Sequence, residues 1–122
     1  MSPAERSFYG MLSQAMGGEF LIMTKVRLAD IVKVRRGMSR GQWRSAFNRI
    51  QSKHVDFVLC EPQQLDVKAV VELDDQTHEK PERRARDLFV DQVMDFTGIP
   101  IFRFSVKGGH SVTEIREALA RK

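Results

Sequence analysis

Apolar residues recur at helical spacing in four stretches of the chain and in short, near-continuous runs in four others. Ser2-Pro3-Ala4-Glu5 has the form of a capping box with proline at the first helical position. Phe8, Leu12 and Ala15 then share one helical face with Met11 beside them, and Gly17-Gly18 ends the helix. Phe20 to Val26 predicts a strand. Ala29 to Met38 predicts a short helical turn and an exposed basic loop. A second capping box, Ser39-Arg40-Gly41-Gln42, opens a helix with Trp43, Ala46, Phe47 and Ile50 on its apolar face.

His54 to Cys60 and Lys68 to Asp75 read as two hydrophobic strands, joined by a turn at Pro62-Gln63-Gln64-Leu65-Asp66 into an antiparallel hairpin. Pro81 begins a helix that runs to Thr97, with Ala85, Leu88, Phe89, Val93 and Phe96 expected inward, and Gly98 and Pro100 stop it. Ile101 to Ser105 predicts a strand. Ser111-Val112-Thr113-Glu114 opens a last helix with Val112, Ile115 and Leu119 inward. The order αβ(α)ββαβα predicts an α/β fold, a mixed sheet flanked by helices. The strand–helix–strand unit from Val70 to Phe104 is expected to be a right-handed parallel crossover.

The 122 residues fit a single domain, 1–122, large enough for a hydrophobic core. No apolar run approaches the roughly 20 residues of a membrane span, and Met1 to Arg6 lacks the order of a signal peptide. A cytoplasmic protein is expected, with the one cysteine, Cys60, as a buried core thiol.

Charge is unevenly distributed. The chain carries +4, yet Lys25 to Lys53 holds nine basic residues and one acid, a net +8. Asp56 to Asp95 holds eleven acids and five bases. One segment is suited to an anion and the other to a cation, as a polyanion cleaved with a bound metal would require. Arg35, Arg36, Arg40, Arg44 and Lys53 are the candidate phosphate contacts. The acidic residues Asp87, Asp91 and Asp95 align at i,i+4 spacing and offer an alternative, protein-binding ridge.

The chemistry rests on carboxylates placed inside hydrophobic strands. A lone ionised carboxylate is costly to bury unless it is paired, hydrogen-bonded or metal-bound. Asp56 lies in one strand of the hairpin; Glu72 and Asp74, two residues apart, share a face of the other. A register that sets Asp56 opposite Glu72 would gather oxygen ligands suited to Mg²⁺. His78, four residues beyond Asp74, stands where it can serve as general acid or base.

Several of these stretches together resemble the PD-(D/E)XK nuclease superfamily: Pro3-Ala4-Glu5-Arg6, Val55-Asp56-Phe57-Val58, Val71-Glu72-Leu73-Asp74-Asp75 with His78, Arg83-Arg84-Ala85-Arg86-Asp87, and Gly98-Ile99-Pro100-Ile101-Phe102-Arg103-Phe104. The similarity is greatest to a bacterial branch that itself resembles very-short-patch-repair endonucleases. The resemblance implies a restriction-endonuclease-like fold and an Mg²⁺- or Mn²⁺-dependent endonuclease, with DNA a better expected substrate than RNA. It assigns Asp56 and Glu72 to the metal site, completed by Glu5, and matches His78 to a recurring histidine; with Asp74, which shares a face with Glu72, these make the expected catalytic set Asp56, Glu72, Asp74 and His78. Homodimers are frequent in that superfamily. One departure matters: Asp74 stands where the superfamily carries a lysine. Either Asp74 is an extra metal ligand, or a lysine such as Lys53 or Lys80 has taken over the role, or the fold has become a non-catalytic nucleic-acid-binding or adaptor domain.

Overall fold

The computed structural model describes residues 1–31, 41, 44–45, 48–49, 51, 53–74, 80–106 and 109–120. Its elements are α1 (Pro3–Met16), β1 (Leu21–Arg27), α2 (Leu28–Ile31), β2 (His54–Cys60), β3 (Val67–Asp74), α3 (Pro81–Thr97), β4 (Ile101–Ser105) and α4 (Val112–Ala120). The sheet order is β1-β2-β3-β4. β1–β2 and β2–β3 are antiparallel, and β3–β4 is parallel. A mixed four-stranded sheet flanked by helices is therefore the architecture, in the element order expected. Among the described residues no helix is long and apolar enough to cross a membrane.

Local signals act as read from the sequence. The Ser2 hydroxyl accepts from the Glu5 N–H while the Glu5 carboxylate accepts from the Ser2 N–H, closing the capping box of α1. The Ser111 hydroxyl likewise accepts from the Glu114 N–H at the start of α4. The β2–β3 turn is tied by the Glu61 carboxylate, which accepts from the Gln63 and Gln64 N–H groups. α3 ends at Gly98, whose φ of 78° is the left-handed conformation that glycine adopts at low cost.

The two faces of the sheet bury separate cores. Phe57, Leu59, Val71, Leu73 and Phe104 pack against Phe8, Leu12, Ala15 and Met16 of α1 and Ile115 and Leu119 of α4. Val58, Cys60 and Val70 pack against Leu28 and Ile31 of α2 and Val90 and Met94 of α3. Cys60 is the buried thiol expected, and burial pushes its pKa up.

The inward face of α3 differs from expectation. Val90 and Met94 are buried and Phe89 and Val93 partly so, whereas Ala85 is exposed and Leu88 and Phe96 are 60% and 46% exposed. The helix is rotated so that Arg86, Val90 and Met94, at i, i+4 and i+8, form the inward line. The cause is a buried carboxylate on the sheet that draws Arg86 beneath the helix. A reading by apolar spacing alone assigns an arginine to the solvent side.

The second capping box lies mostly outside the described residues, as do Trp43, Ala46, Phe47 and Ile50. The described positions 41, 44, 45, 48 and 49 are helical and exposed. The Arg49 guanidinium lies 4.1 Å from the centre of the Phe89 ring, which seats this segment against α3.

Candidate active site

The strand register assembles a row of four charged residues, one per strand. Phe57 pairs with Val71, so the next step of the ladder sets Asp56 level with Glu72. Glu72 pairs with Arg103 across the parallel β3–β4 ladder. On the other side, β1 pairs Thr24 with Phe57 and Val26 with Val55, and skips the Lys25–Asp56 step between them. The register is the same before and after that gap, so no residue is inserted and the distortion is local to Lys25. The row across the sheet is Lys25, Asp56, Glu72, Arg103: cation, two anions, cation.

Lys25 has φ of 52°, a left-handed backbone for a residue with a Cβ, in the middle of a strand. That conformation costs about 1–2 kcal/mol and breaks the strand's alternation at this point. The Lys25 ammonium ends 2.5 Å from Glu5 Oε2 and 3.7 Å from Asp56 Oδ1. Glu5 therefore has two roles, one oxygen closing the α1 capping box and the other bonded to Lys25. Burial pushes the Glu5 carboxyl up, but the Lys25 hydrogen bond, the Ser2 bonds and the Lys25 charge bring it down to about 2. The Glu5 hydrogen bond in turn holds the Lys25 ammonium above its ordinary pKa.

Asp56 behaves oppositely. Its Oδ2 accepts from the Leu73 N–H at 2.8 Å, which fixes the side chain across the β2–β3 ladder. Burial pushes its pKa up, the Glu72 and Glu5 charges add to the rise, and the Leu73 N–H and Lys25 only partly offset it. An anion held against that bias draws a cation.

Glu72 is 2% exposed, the one buried charged residue among those described. Arg86 Nη1 lies 2.9 Å and Arg103 Nη2 3.3 Å from the same oxygen, Oε1. Arg103 also bonds Asp91 at 2.6 Å, while Arg86 bonds Asp87 at 3.1 Å and donates to the His54 carbonyl. Asp87 and Asp91 of the acidic ridge read from the sequence thus pair with these arginines, Asp87 largely covered and Asp91 still 44% exposed.

A cleft of about 600 Å³ opens beside the row, lined among others by Glu5, Lys25, Asp56, Lys53, Arg83 and Arg86. Of the residues expected at the site, Glu5, Asp56 and Lys53 meet there, and Glu72 is the buried neighbour of Asp56 on β3. Asp74 ends β3 part-buried, 3.8 Å from Arg103 Nε, on the arginine side of the row. Arg44 is exposed on its helix, and Lys53 donates to the Arg49 carbonyl with its ammonium 5.0 Å from the centre of the Phe89 ring. His78, Arg35, Arg36 and Arg40 lie outside the described residues.

The model of one protein family, described as "Protein of unknown function (DUF2726)", matches residues 1–122. The chain belongs to this family. No curated protein and no solved structure matches it. The site of this DUF2726 member must therefore be judged on its own chemistry.

On that ground the donor set suits a hard cation. Glu5 and Asp56 offer carboxylate oxygens to one point, where the Lys25 ammonium already stands as a cation, and Glu72, level with Asp56, is met by two guanidiniums. Among the described residues no group of three or more His, Cys, Asp or Glu side chains converges as a complete ligand cage. Mg²⁺, which keeps several waters and takes one or two carboxylates, does not need one.

Four residues here were missed in the sequence: Arg83, on the cleft wall, and the three cations that meet the acids. Arg103 carried a usable signal: a lone cation in Ile101-Phe102-Arg103-Phe104-Ser105 is as out of place as a lone acid in β2 or β3. Arg86 had a weaker one, four residues before Val90. Lys25 had none, because a lysine on an edge strand is ordinary.

Proposed function

We propose that this DUF2726 protein is a metal-dependent nuclease with a restriction-endonuclease-like fold, acting on phosphodiester bonds of DNA in preference to RNA. The observation that carries this reading is the convergence of Glu5, Asp56 and Lys25 on one point of a cleft, with Glu72 level with Asp56. An Mg²⁺ or Mn²⁺ ion held by Glu5 and Asp56, with Glu72 in support, would supply an activated water and stabilise charge on the phosphate. The chain's own part is electrostatic and geometric. Arg86 and Arg103 fix Glu72, the Leu73 N–H fixes Asp56, and Lys53, Arg83 and Arg86 give the cleft wall positive charge for a phosphate backbone.

The test is incubation of the purified protein with supercoiled, nicked, branched and single-stranded DNA in Mg²⁺ or Mn²⁺. Cutting that disappears with EDTA and in Asp56→Asn and Glu72→Gln is expected. No cutting of any substrate, or cutting indifferent to both substitutions, overturns the enzyme reading.

A second reading is favoured by Asp74 in place of a lysine and by the two arginines on Glu72: a nuclease-fold domain that binds nucleic acid without cleaving it. It predicts salt-sensitive binding that Asp56→Asn leaves intact or improves, with no metal-dependent product.

A further inference from the structure

We propose that the Lys25 ammonium is a built-in occupant of the cation position, displaced when a divalent ion enters between Glu5 and Asp56 and then free to meet the substrate phosphate. The inference rests on the metal-dependent reading above and concerns how that site is regulated. Lys25 Nζ lies within ion-pair distance of both carboxylates at once, 2.5 Å from Glu5 and 3.7 Å from Asp56. Two anions on one ammonium is the arrangement a divalent ion would replace.

The two sides of the contact differ in freedom. The acid side chains are each 17% exposed, whereas the Lys25 side chain is 49% exposed. Glu5 is held by the α1 capping box and Asp56 by the Leu73 N–H. Lys25 has only its flexible stem, on a backbone whose left-handed turn directs it to the cleft. A divalent ion carries twice the ammonium's charge and so gains more from the two fixed carboxylates, while the flexible lysine stem can withdraw. An ammonium released there stays in the same cleft as Lys53 and Arg83, where a phosphate would lie.

Two consequences distinguish this from a merely structural ion pair. Removing the Lys25 charge strengthens metal binding, because the ion no longer competes. The same change weakens cleavage, because the phosphate loses a cation.

The experiment is titration of the full chain with Mn²⁺, read from the electron paramagnetic resonance of free Mn²⁺, which does not depend on activity. It compares the unaltered protein with Lys25→Met, Lys25→Arg and Lys25→Asn. Asparagine tolerates the left-handed backbone, so Lys25→Asn guards against a folding defect in Lys25→Met. Lys25→Met and Lys25→Asn are expected to bind Mn²⁺ about tenfold more tightly or better, with Lys25→Arg close to the unaltered protein. At saturating Mn²⁺ the two neutral variants are expected to cleave DNA at least about tenfold more slowly. If the unaltered protein binds Mn²⁺ and the neutral variants bind it no more tightly, the displacement is overturned while the metal site stands. If they bind more tightly but cleave as fast, the transfer of the ammonium to phosphate is overturned. If no form binds Mn²⁺, the metal-dependent reading fails and this inference with it.

Discussion

Arg103 on β4 is the register partner of Glu72 on β3, and its Nη2 lies 3.3 Å from Glu72 Oε1. Arg86 reaches the same oxygen from α3. A carboxylate this deeply buried is tolerable only because two guanidiniums meet it. Losing a sole partner of a buried charge typically costs about 3–5 kcal/mol, and here one guanidinium remains when the other is removed. Arg103→Met and Arg86→Met should each destabilise the protein by no more than that range in urea unfolding. Adding Glu72→Gln to Arg103→Met should recover a large part of the loss, because the charge needing compensation is gone. Equal stability of the single and double variants would show that the pairing does not hold the fold.

Glu5 and Asp56 should give opposite pH signatures. The folded Glu5 carboxyl titrates at about 2, below its unfolded value of about 4.3. Its contribution to stability is present above about pH 4.3 and lost as pH falls through about 2. Glu5→Gln should therefore be less stable than the unaltered protein at pH 6, with the gap closing on acidification.

The folded Asp56 carboxyl is raised, mainly by burial, so ionising it opposes folding. Its contribution is most favourable below the unfolded pKa of about 3.9 and is lost as pH rises through the higher folded value. Asp56→Asn keeps an acceptor for the Leu73 N–H and cannot ionise. It should melt at a higher temperature than the unaltered protein at pH 7, the advantage vanishing below about pH 4. A gain in stability with a loss of cutting is the expected trade at a working site.

The rotation of α3 predicts an asymmetry in stability. Met94 is 1% exposed and Leu88 60%. Met94→Ala should cost about 2–5 kcal/mol and Leu88→Ala within about 0.5 kcal/mol by chemical denaturation. The reverse order would restore the inward face read from apolar spacing.

Lys53 and Arg83 line the cleft, and each is expected to meet one phosphate. Lys53→Ala and Arg83→Ala should each weaken duplex binding for any sequence. Each should also lower the slope of log affinity against log salt by about 0.9. An unchanged slope in both variants would move the nucleic acid elsewhere on the surface.

Among the described residues, the sequence by itself determined the elements and their order. α3 and β4 begin and end at the residues read from Pro81, Gly98, Pro100 and the apolar run after them, because such signals act within a few residues of chain. It also marked Asp56 and Glu72 as acids that need a partner, since an acid inside an apolar strand is costly wherever the strand goes; the register of β2 on β3 set them level. Their counter-charges were decided only by tertiary structure. Lys25, Arg86 and Arg103 come from two edge strands and a crossover helix. Register, helix rotation and one left-handed backbone angle bring them to the acids, and none of these is a property of a local window of sequence. Electrostatic pairing is long-range along the chain and short-range in space, so a cation looks ordinary until the fold supplies its anion.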